Sequence, residues 1–404
     1  MKRIDNLVFQ IDGEVIDPKI IEKFNLRGFS RNLRFSYKLN AEVINFVGFI
    51  IKNKEMLVVL PKHYAGKGDL LDYSDVKLLF QILLKEQSKN VNKYIGSIKE
   101  FESSFPFKAF YSIYNYYQMY GLYKEDEKVI KPGYNGKISW KDTIRHSNNV
   151  ISNGNLIYIP FFVQETKNRQ VYLSECMAFA INYTLRTYPY FVKGTILKGQ
   201  FSNFDFLGNR KHVIDNLKKI YSDMFSDKNK RLVKDLIDFY SNLPQGGNIK
   251  IVHYNFELVW ESMVEKYLND YFNDLGESGL QFEYKRYENQ TNHFTKKKFR
   301  VDEAHPNHRL EPDHYLYTNN IQYIFDAKYY SHINELNYKQ VAYHALLKKK
   351  AKRTYSALLL PTSGENRSRI HFELAKEFYT TPEGSIEIFE HYLNIKEVME
   401  NYLD

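Results

Sequence analysis

The sequence predicts an α/β fold over residues 246–404, a mixed central sheet flanked by helices, preceded by α+β N-terminal regions. Three observations predict it. An apolar stripe repeats at helical spacing in "NFELVWESMVEKYLNDYF" (Asn255 to Phe272). Two β-rich runs, "PDHYLY" and "IQYIFDAKYY", flank a short polar break. A continuous apolar run, "TYSALLLP", follows a second amphipathic segment. Helices that each have one apolar face, alternating with apolar strands, bury those faces by covering a sheet.

A chain of 404 residues has room for two or three cores. The expected division is residues 1–120, β-rich and then helical; 121–245, α+β and mostly helical toward its end; and 246–404, the α/β domain. Apolar residues at 43% and charged residues at 26% are those of an ordinary folded protein, so disorder does not dominate. The single cysteine, Cys176, excludes an intramolecular disulfide and a cysteine-based zinc site, which fits a reducing compartment. "MKRIDNLVFQIDGEVID" lacks the continuous apolar core of a secretory signal, and no run of about 18 apolar residues could cross a bilayer. A soluble, cytoplasmic protein without a membrane partner is expected.

Lys and Arg number 57 against 48 Asp and Glu, a formal charge of +9. The excess concentrates in "KKKFR" (Lys296, Lys297, Lys298, Phe299, Arg300) and "KKKAKR" (Lys348 to Arg353). Two readings compete for these runs: contacts to a polyanion, or solvated ends of elements. The 34 Tyr and 29 Phe are equally two-sided, as faces for stacking on bases or as the coding bias of an AT-rich genome.

Taken in order, "INFVGFIIKNKEMLVVLP" reads as a β-hairpin turning at Lys52-Asn53-Lys54. From Ser74 to about Leu122 the apolar residues fall at helical spacing. "KPGYNGKISWKDTI", with Trp140, reads as loop and strand, "NLIYIPFFVQE" as a strand, and "RQVYLSECMAFAINYTL" as an entry into a helix. Asp205 to Leu243 is polar and helical, and "PQGGN" (Pro244 to Asn248) breaks it. The helix that follows turns Phe256, Val259, Trp260, Met263, Val264 and Tyr267 to one side. "LQFEYKRYE" is the first strand expected after it. "PDHYLY" and "IQYIFDAKYY" are the next two, joined by a three-residue turn, Thr318-Asn319-Asn320. "LNYKQVAYHALLKKK" is a helix with Val341, Ala342, His344, Ala345 and Leu347 on its inner side. "TYSALLLP" completes an α-β-β-β-α-β order.

The chemistry concentrates in the hairpin. Asp313 opens one strand and Asp326 ends its partner, so two carboxylates meet at one end of the sheet. Lys328 points the same way as Asp326 because side chains alternate faces along a strand. Phosphodiester hydrolysis needs a neutralised phosphate, a water of lowered pKa and a stabilised leaving oxygen, and divalent metal ions supply all three. Mg²⁺ takes carboxylate oxygens and retains waters, so Asp313, Asp326 and the Ala327 backbone carbonyl form a plausible donor set. Glu261 on the preceding helix is a further ligand or base, and Gln340 on the following helix a group for binding phosphate or orienting water.

These motifs carry a resemblance. Pro312-Asp313 and Asp326-Ala327-Lys328 match the signature of the PD-(D/E)xK nuclease superfamily. More narrowly, "FELVWESMVEKYL", "EPDHYL", "YIFDAKYY" and "NYKQVAYHAL" resemble the endonuclease subunits of McrC-like systems, while "FVGFI", "LVVLPKHY" and "GKISWKDTI" resemble the LlaJI-type restriction endonucleases. The resemblance implies a PD-(D/E)xK restriction-endonuclease-like domain over 246–404. It implies a Mg²⁺-dependent DNA endonuclease of a bacterial defence system, with Mn²⁺ able to substitute. Glu261, Asp313, Asp326 and Lys328 are then catalytic or metal-binding, with Gln340 and Tyr343 supporting. Glu257 lies one turn earlier on the same helix; Glu261 fits better because it follows the aromatic Trp260. A separate McrB-like GTPase or ATPase subunit is also implied. No G-x-x-x-x-G-K-[ST] loop is present, so such a motor must be another chain.

Double-stranded DNA is the expected substrate, contacted by Lys296, Lys297, Lys298, Arg300 and Tyr343, and the N-terminal region would bind DNA or the partner. A homo-oligomer is left open. Other readings are a non-catalytic subunit that binds DNA or stimulates an NTPase, and a metal nuclease acting on RNA or branched DNA. His293, His305, His308 and His314 have irregular spacing for a zinc site and read as loop histidines. Cys176, in apolar "LSECMAFA", reads as core rather than nucleophile. "FYSIYNYYQMYGLY" reads as helix packing.

Overall fold

A computed structural model describes residues 6–404 except 29–30, 53–54, 67, 90–100, 170, 190, 193, 200–202, 245–248, 277, 285–292, 306, 331–332, 334 and 379–384. Gln245 to Asn248 of "PQGGN", Asn53 and Lys54 of the first turn, and most of "YKRYE" therefore lie outside the described residues. The chain divides into two compact units, one of residues 106–243 and one of residues 2–105 with 244–404. These units are not the three consecutive segments expected, although the break after Leu243 falls beside the expected boundary at 245.

In the discontinuous unit, the β-branched runs "VGFIIK" and "EMLVVL" form antiparallel strands Val47–Lys52 and Glu55–Leu60. They lie inside a five-stranded sheet in the order Asn6–Ile11, Glu55–Leu60, Val47–Lys52, Ile249–His253, Phe101–Ser103. Sequence reading missed Ile249–His253. Its alternating apolar run "IKIVH" is short, yet it carries the chain after the break back into the N-terminal sheet. Gly48 makes that pairing feasible: its φ is +142°, and a Cβ there would lie 2.1 Å from the Ile251 carbonyl oxygen. A core of Ile21, Phe24, Leu26, Ile44, Phe46 and Leu57 fills one side of the sheet.

The second sheet of this unit runs His314–Thr318, Ile321–Ala327, Arg353–Thr362, Glu387–Asn394, Arg367–Glu373. Its three central strands are parallel and its two outer strands antiparallel, so the α/β class expected from the sequence is met with a mixed sheet. The strand Arg353–Thr362 is buried over its last eight residues, as its continuous apolar run requires. Helix Phe256–Tyr271 buries Phe256, Val259, Trp260, Met263, Val264, Tyr267 and Leu268, the expected stripe with one addition. At about 1.5–3 kcal/mol for each large apolar side chain, this face alone secures the helix. The first expected strand differs. "LQFEYKRYE" is described as a strand only at Glu283–Tyr284, which pairs with Phe272–Asp274 outside the five-stranded sheet. Two strands and the final helix Ile395–Leu403, which packs on helices Phe256–Tyr271 and Tyr73–Lys89, extend past the expected order.

The unit 106–243 is helical around a small sheet. Helices Phe107–Tyr120, Tyr172–Thr187, Arg210–Asp223 and Asp227–Ser241 accompany strands Glu125–Pro132, Lys137–Ile138 and Phe162–Arg169 and a hairpin, Asn148–Ser152 with Asn155–Ile159. Phe107, Phe110 and Ile113 of the aromatic helix are buried, so its apolar face is packing. Cys176 is buried, and burial pushes its thiol up to about 12, out of nucleophilic range. Trp140 is the first residue of helix Trp140–His146 and not part of a strand, because Ser139 and Asp142 bond to each other across the first turn. The expected helical stretch from Ser74 to Leu122 is two helices with strand Phe101–Ser103 between them. Among the described residues no helix is long and apolar enough to cross a membrane.

Candidate active site

The hairpin turns more tightly than expected. Thr318 pairs with Ile321, leaving Asn319 and Asn320 as a two-residue turn with φ of 50° and 63°. Both central residues being left-handed is the geometry that matches strand twist, and asparagine tolerates it. The turn sets His314 opposite Phe325, so Asp313 stands just outside the paired region beside the end of the strand that carries Asp326.

Asp326 is fully buried, and its neighbour across the parallel ladder is Leu358. The Lys328 ammonium contacts Asp326 Oδ2, and Lys339 Nζ lies 3.3 Å from Oδ1. Sequence reading missed Lys339. Its position two residues into a helix beside the sheet, one before Gln340, was the available signal. Asp313, whose side chain is 12% exposed, is within hydrogen-bonding reach of Asp326. Burial, then Asp326, then Glu261 raise the Asp313 carboxyl to about 7. The same proton-sharing contact, Lys328 and Lys339 outweigh burial and lower Asp326. One carboxyl of the pair therefore carries the proton and the other the charge, as two crowded acids must.

Glu261 joins through Lys296, whose Nζ donates to Glu261 Oε1 at 2.9 Å and lies 3.7 Å from Asp313 Oδ1. Glu257 faces elsewhere; its electrostatic neighbours are Asp12, Lys62 and Tyr329. Helix and hairpin are tied at one atom, since the Trp260 indole N–H and the Lys328 backbone N–H both donate to the Leu359 carbonyl, at 3.2 and 2.9 Å.

The remaining expected residues are placed as follows. Gln340 is fully buried and its Nε2 donates to the carbonyls of Ile324, at 2.6 Å, and Ala357, at 3.4 Å. It fastens its helix to two strands. Tyr343 is buried in a cluster with Phe299, Tyr315, Ile324 and Leu347. The helix thus turns Gln340, Tyr343, His344 and Leu347 inward, while Ala345, expected inside, is exposed. Ala327 ends its strand beside Leu359. Lys297 lies over the rings of Tyr315 and Phe299, Lys298 faces Glu311 at 3.7 Å, and Arg300 donates to backbone carbonyls of Asp302 and Glu303. His314 is buried behind the acids, and burial lowers it to about 3, so it is neutral. His305 and His308 each bring Nδ1 to 2.9 Å from Asp302 Oδ2, and the three form a potential ligand group that His293 and His314 do not join.

Asp313 and Asp326 present hard oxygen donors within hydrogen-bonding reach of each other, whereas Glu261 is joined to Asp313 through Lys296 and the three carboxylates do not close on one point as Asp302, His305 and His308 do. Asp326 Oδ2 has the Lys328 charge beside it but no directed hydrogen bond among the described residues. These residues fit a divalent metal ion that prefers oxygen.

The fold and site define a mixed α/β protein with an acid pair and a lysine at a sheet end. The LlaJI restriction endonuclease family matches residues 46–373, and the chain belongs to that family. No curated protein matches it. Among solved structures, it is similar to a chain of the half-complex from the tetradecameric assembly of Thermococcus gammatolerans McrB AAA+ hexamers with bound McrC, at 13% identity, covering 98% of each chain, with a TM-score of 0.42. It also aligns with a chain of the Thermococcus gammatolerans McrBC complex at 13% identity, covering 66% of this chain and 89% of that one, with a TM-score of 0.26.

Proposed function

We propose that this chain is the endonuclease subunit of a restriction system, hydrolysing phosphodiester bonds in double-stranded DNA at a PD-(D/E)xK-type site that uses Mg²⁺ or Mn²⁺. The observation that carries the reading is the Asp313–Asp326 pair, Asp326 fully and Asp313 partly buried, within hydrogen-bonding reach of each other and flanked by Lys328 at the open end of a hairpin. Membership of the LlaJI family supports it.

Asp313, Asp326 and Glu261 would hold the metal, with the Ala327 carbonyl as a further donor. When bound, the metal neutralises the phosphate and lowers the pKa of a coordinated water. Lys328, held against Asp326, orients the attacking water or offsets charge building on the phosphate. Gln340 is a positioning residue here, because its amide nitrogen is committed to the Ile324 and Ala357 carbonyls and keeps the Lys339 helix against the acid strand, while its Oε1 is buried without a hydrogen-bond partner among the described residues. Lys297, Lys298 and Arg300 are exposed and supply phosphate contacts along the approach. The motor of such a system is a separate McrB-like NTPase, since the sequence has no phosphate-binding loop of its own.

The test is plasmid cleavage with Mg²⁺, by this chain alone and with the product of the neighbouring gene plus GTP or ATP. Asp326→Ala is expected to abolish cleavage while folding and DNA binding persist; cleavage by that variant sinks the site. Full activity of this chain alone refutes the two-subunit part, and cleavage confined to RNA or branched DNA refutes the substrate.

A further inference from the structure

The residue after the lysine of the acid-x-Lys motif, Tyr329, is 5% exposed and sits between three elements. Its ring packs 5.5 Å from that of Phe256, at the start of the helix that carries Glu261. Its hydroxyl accepts a 2.7 Å hydrogen bond from the Lys62 backbone N–H and lies within hydrogen-bonding reach of the Asp12 carboxylate. The Lys62 ammonium donates to the Tyr329 carbonyl at 3.2 Å and lies 4.6 Å from the centre of its ring. The next residues repeat the contact, with the ring Nε2 of His63 donating to the Tyr330 carbonyl at 3.0 Å. Asp12 and Lys62 follow the two paired strands Asn6–Ile11 and Glu55–Leu60, and the Asp12 N–H donates to the Leu60 carbonyl. Gly13 has φ of +83°, and a Cβ there would come within 3.2 Å of Lys62 Cε, so the turn leaves the lysine its path.

We propose that Asp12, Lys62 and Tyr329 form a positioning clamp through which the N-terminal sheet fixes the Asp326–Lys328 pair and the Glu261 helix in one geometry. This rests on the nuclease reading above and extends it, by giving the N-terminal strands a part in the reaction besides binding. The clamp grips the backbone on the C-terminal side of Lys328 through both the side chain and the carbonyl of Tyr329. The Leu359 carbonyl holds the Lys328 N–H on the other side. The backbone of Lys328 is thus held on both sides, which fixes where its side chain starts, and its ammonium contacts Asp326. None of the three clamp residues touches the acids, so they act through Lys328 and the helix and not on substrate.

Tyr329→Phe keeps the ring on Phe256 and removes only the hydroxyl. Mn²⁺ binding, followed by electron paramagnetic resonance, and steady-state plasmid cleavage with the motor subunit and nucleotide are measured on the full chain well below its melting temperature. Outer-layer partners of metal sites typically govern affinity or rate by about 10- to 100-fold. The expected result is a loss of about tenfold or more in Mn²⁺ affinity and in kcat with KM for DNA unchanged. Asp12→Asn should give a similar loss, and the double variant no more than the worse single one. A merely structural role would lower the melting temperature and leave kcat per folded molecule at the wild-type value, which overturns the clamp, as do losses that add in the double variant. If the wild type neither binds Mn²⁺ through Asp326 nor cleaves, the nuclease reading fails and the clamp falls with it. Wild-type activity with unaltered Tyr329→Phe sinks the clamp alone.

Discussion

Replacing Asp313 by asparagine tests the shared proton directly. The Asp313 carboxyl is raised from its ordinary 3.8 to about 7 by burial, Asp326 and Glu261. A raised carboxyl favours the folded state fully below its unfolded value, near 3.8, and loses that contribution as pH rises through about 7. A shift of about three units corresponds to roughly 4 kcal/mol as an upper bound. Part of it is offset, because the proton on Asp313 also lowers Asp326. The metal-free Asp313→Asn variant is therefore expected to be about 1–3 kcal/mol more stable than wild type at pH 8, and within about 0.5 kcal/mol of it near pH 4. Urea unfolding at several pH values measures this. Saturating Mg²⁺ should reverse the order at pH 8, since wild type gains binding energy that the variant lacks. A difference independent of pH, or a variant less stable at pH 8, refutes the acid-pair argument.

Other substitutions probe what positions the site. Gly48→Ala should cost more than about 3 kcal/mol in chemical denaturation, because a Cβ would overlap the Ile251 carbonyl and the φ is left-handed. Gln340→Ala should cost about 1–3 kcal/mol by removing the buried amide that ties its helix to the Ile324 and Ala357 carbonyls, again read by denaturation. Asn320→Ala, at φ of 63°, should cost about 1 kcal/mol in denaturation, since alanine lacks asparagine's tolerance of the left-handed region and the acceptor for the Tyr317 hydroxyl is lost, and leave cleavage unchanged.

The sequence made the second sheet legible where a period was strong. The stripe on Phe256–Tyr271 and the apolar run of Arg353–Thr362 were visible because burial on one face or on both leaves a distinct pattern. Asp326 and Lys328 were visible as a same-face pair because strand alternation is local. What was not legible depended on distant partners. Ile249–His253 reads as a minor apolar run, and only pairing with Val47–Lys52 makes it a central strand. "LQFEYKRYE" has the right composition, yet Glu283–Tyr284 pairs with Phe272–Asp274 outside the sheet. Gln340 read as a group for binding phosphate or orienting water, and that its Nε2 donates to main-chain carbonyls is something no side-chain pattern reveals. Lys339 was hidden because a lysine on a helix is by default a solvated charge.

On the proposed reading, the lysines around the acids differ in what they can do. Lys328 is 14% exposed, while Lys339 and Lys296 are 49% and 48% exposed. Partly exposed ion pairs contribute little, about 0–1 kcal/mol, so a divalent cation would displace Lys296 from Glu261 and Asp313 at small cost, whereas Lys339 is paired with the fully buried Asp326. The desolvated Lys328 pair resists displacement, and the clamp on Tyr329 holds it further. On that reading metal entry would separate the lysines, Lys328 staying with the acid and Lys296 released at the rim of the site. Lys296, the counter-ion of Glu261 and Asp313, would then be free for the phosphate contact expected from the basic run "KKKFR". The two readings of that run, solvated face and polyanion contact, would on the proposed function describe the same side chain before and after a metal is bound.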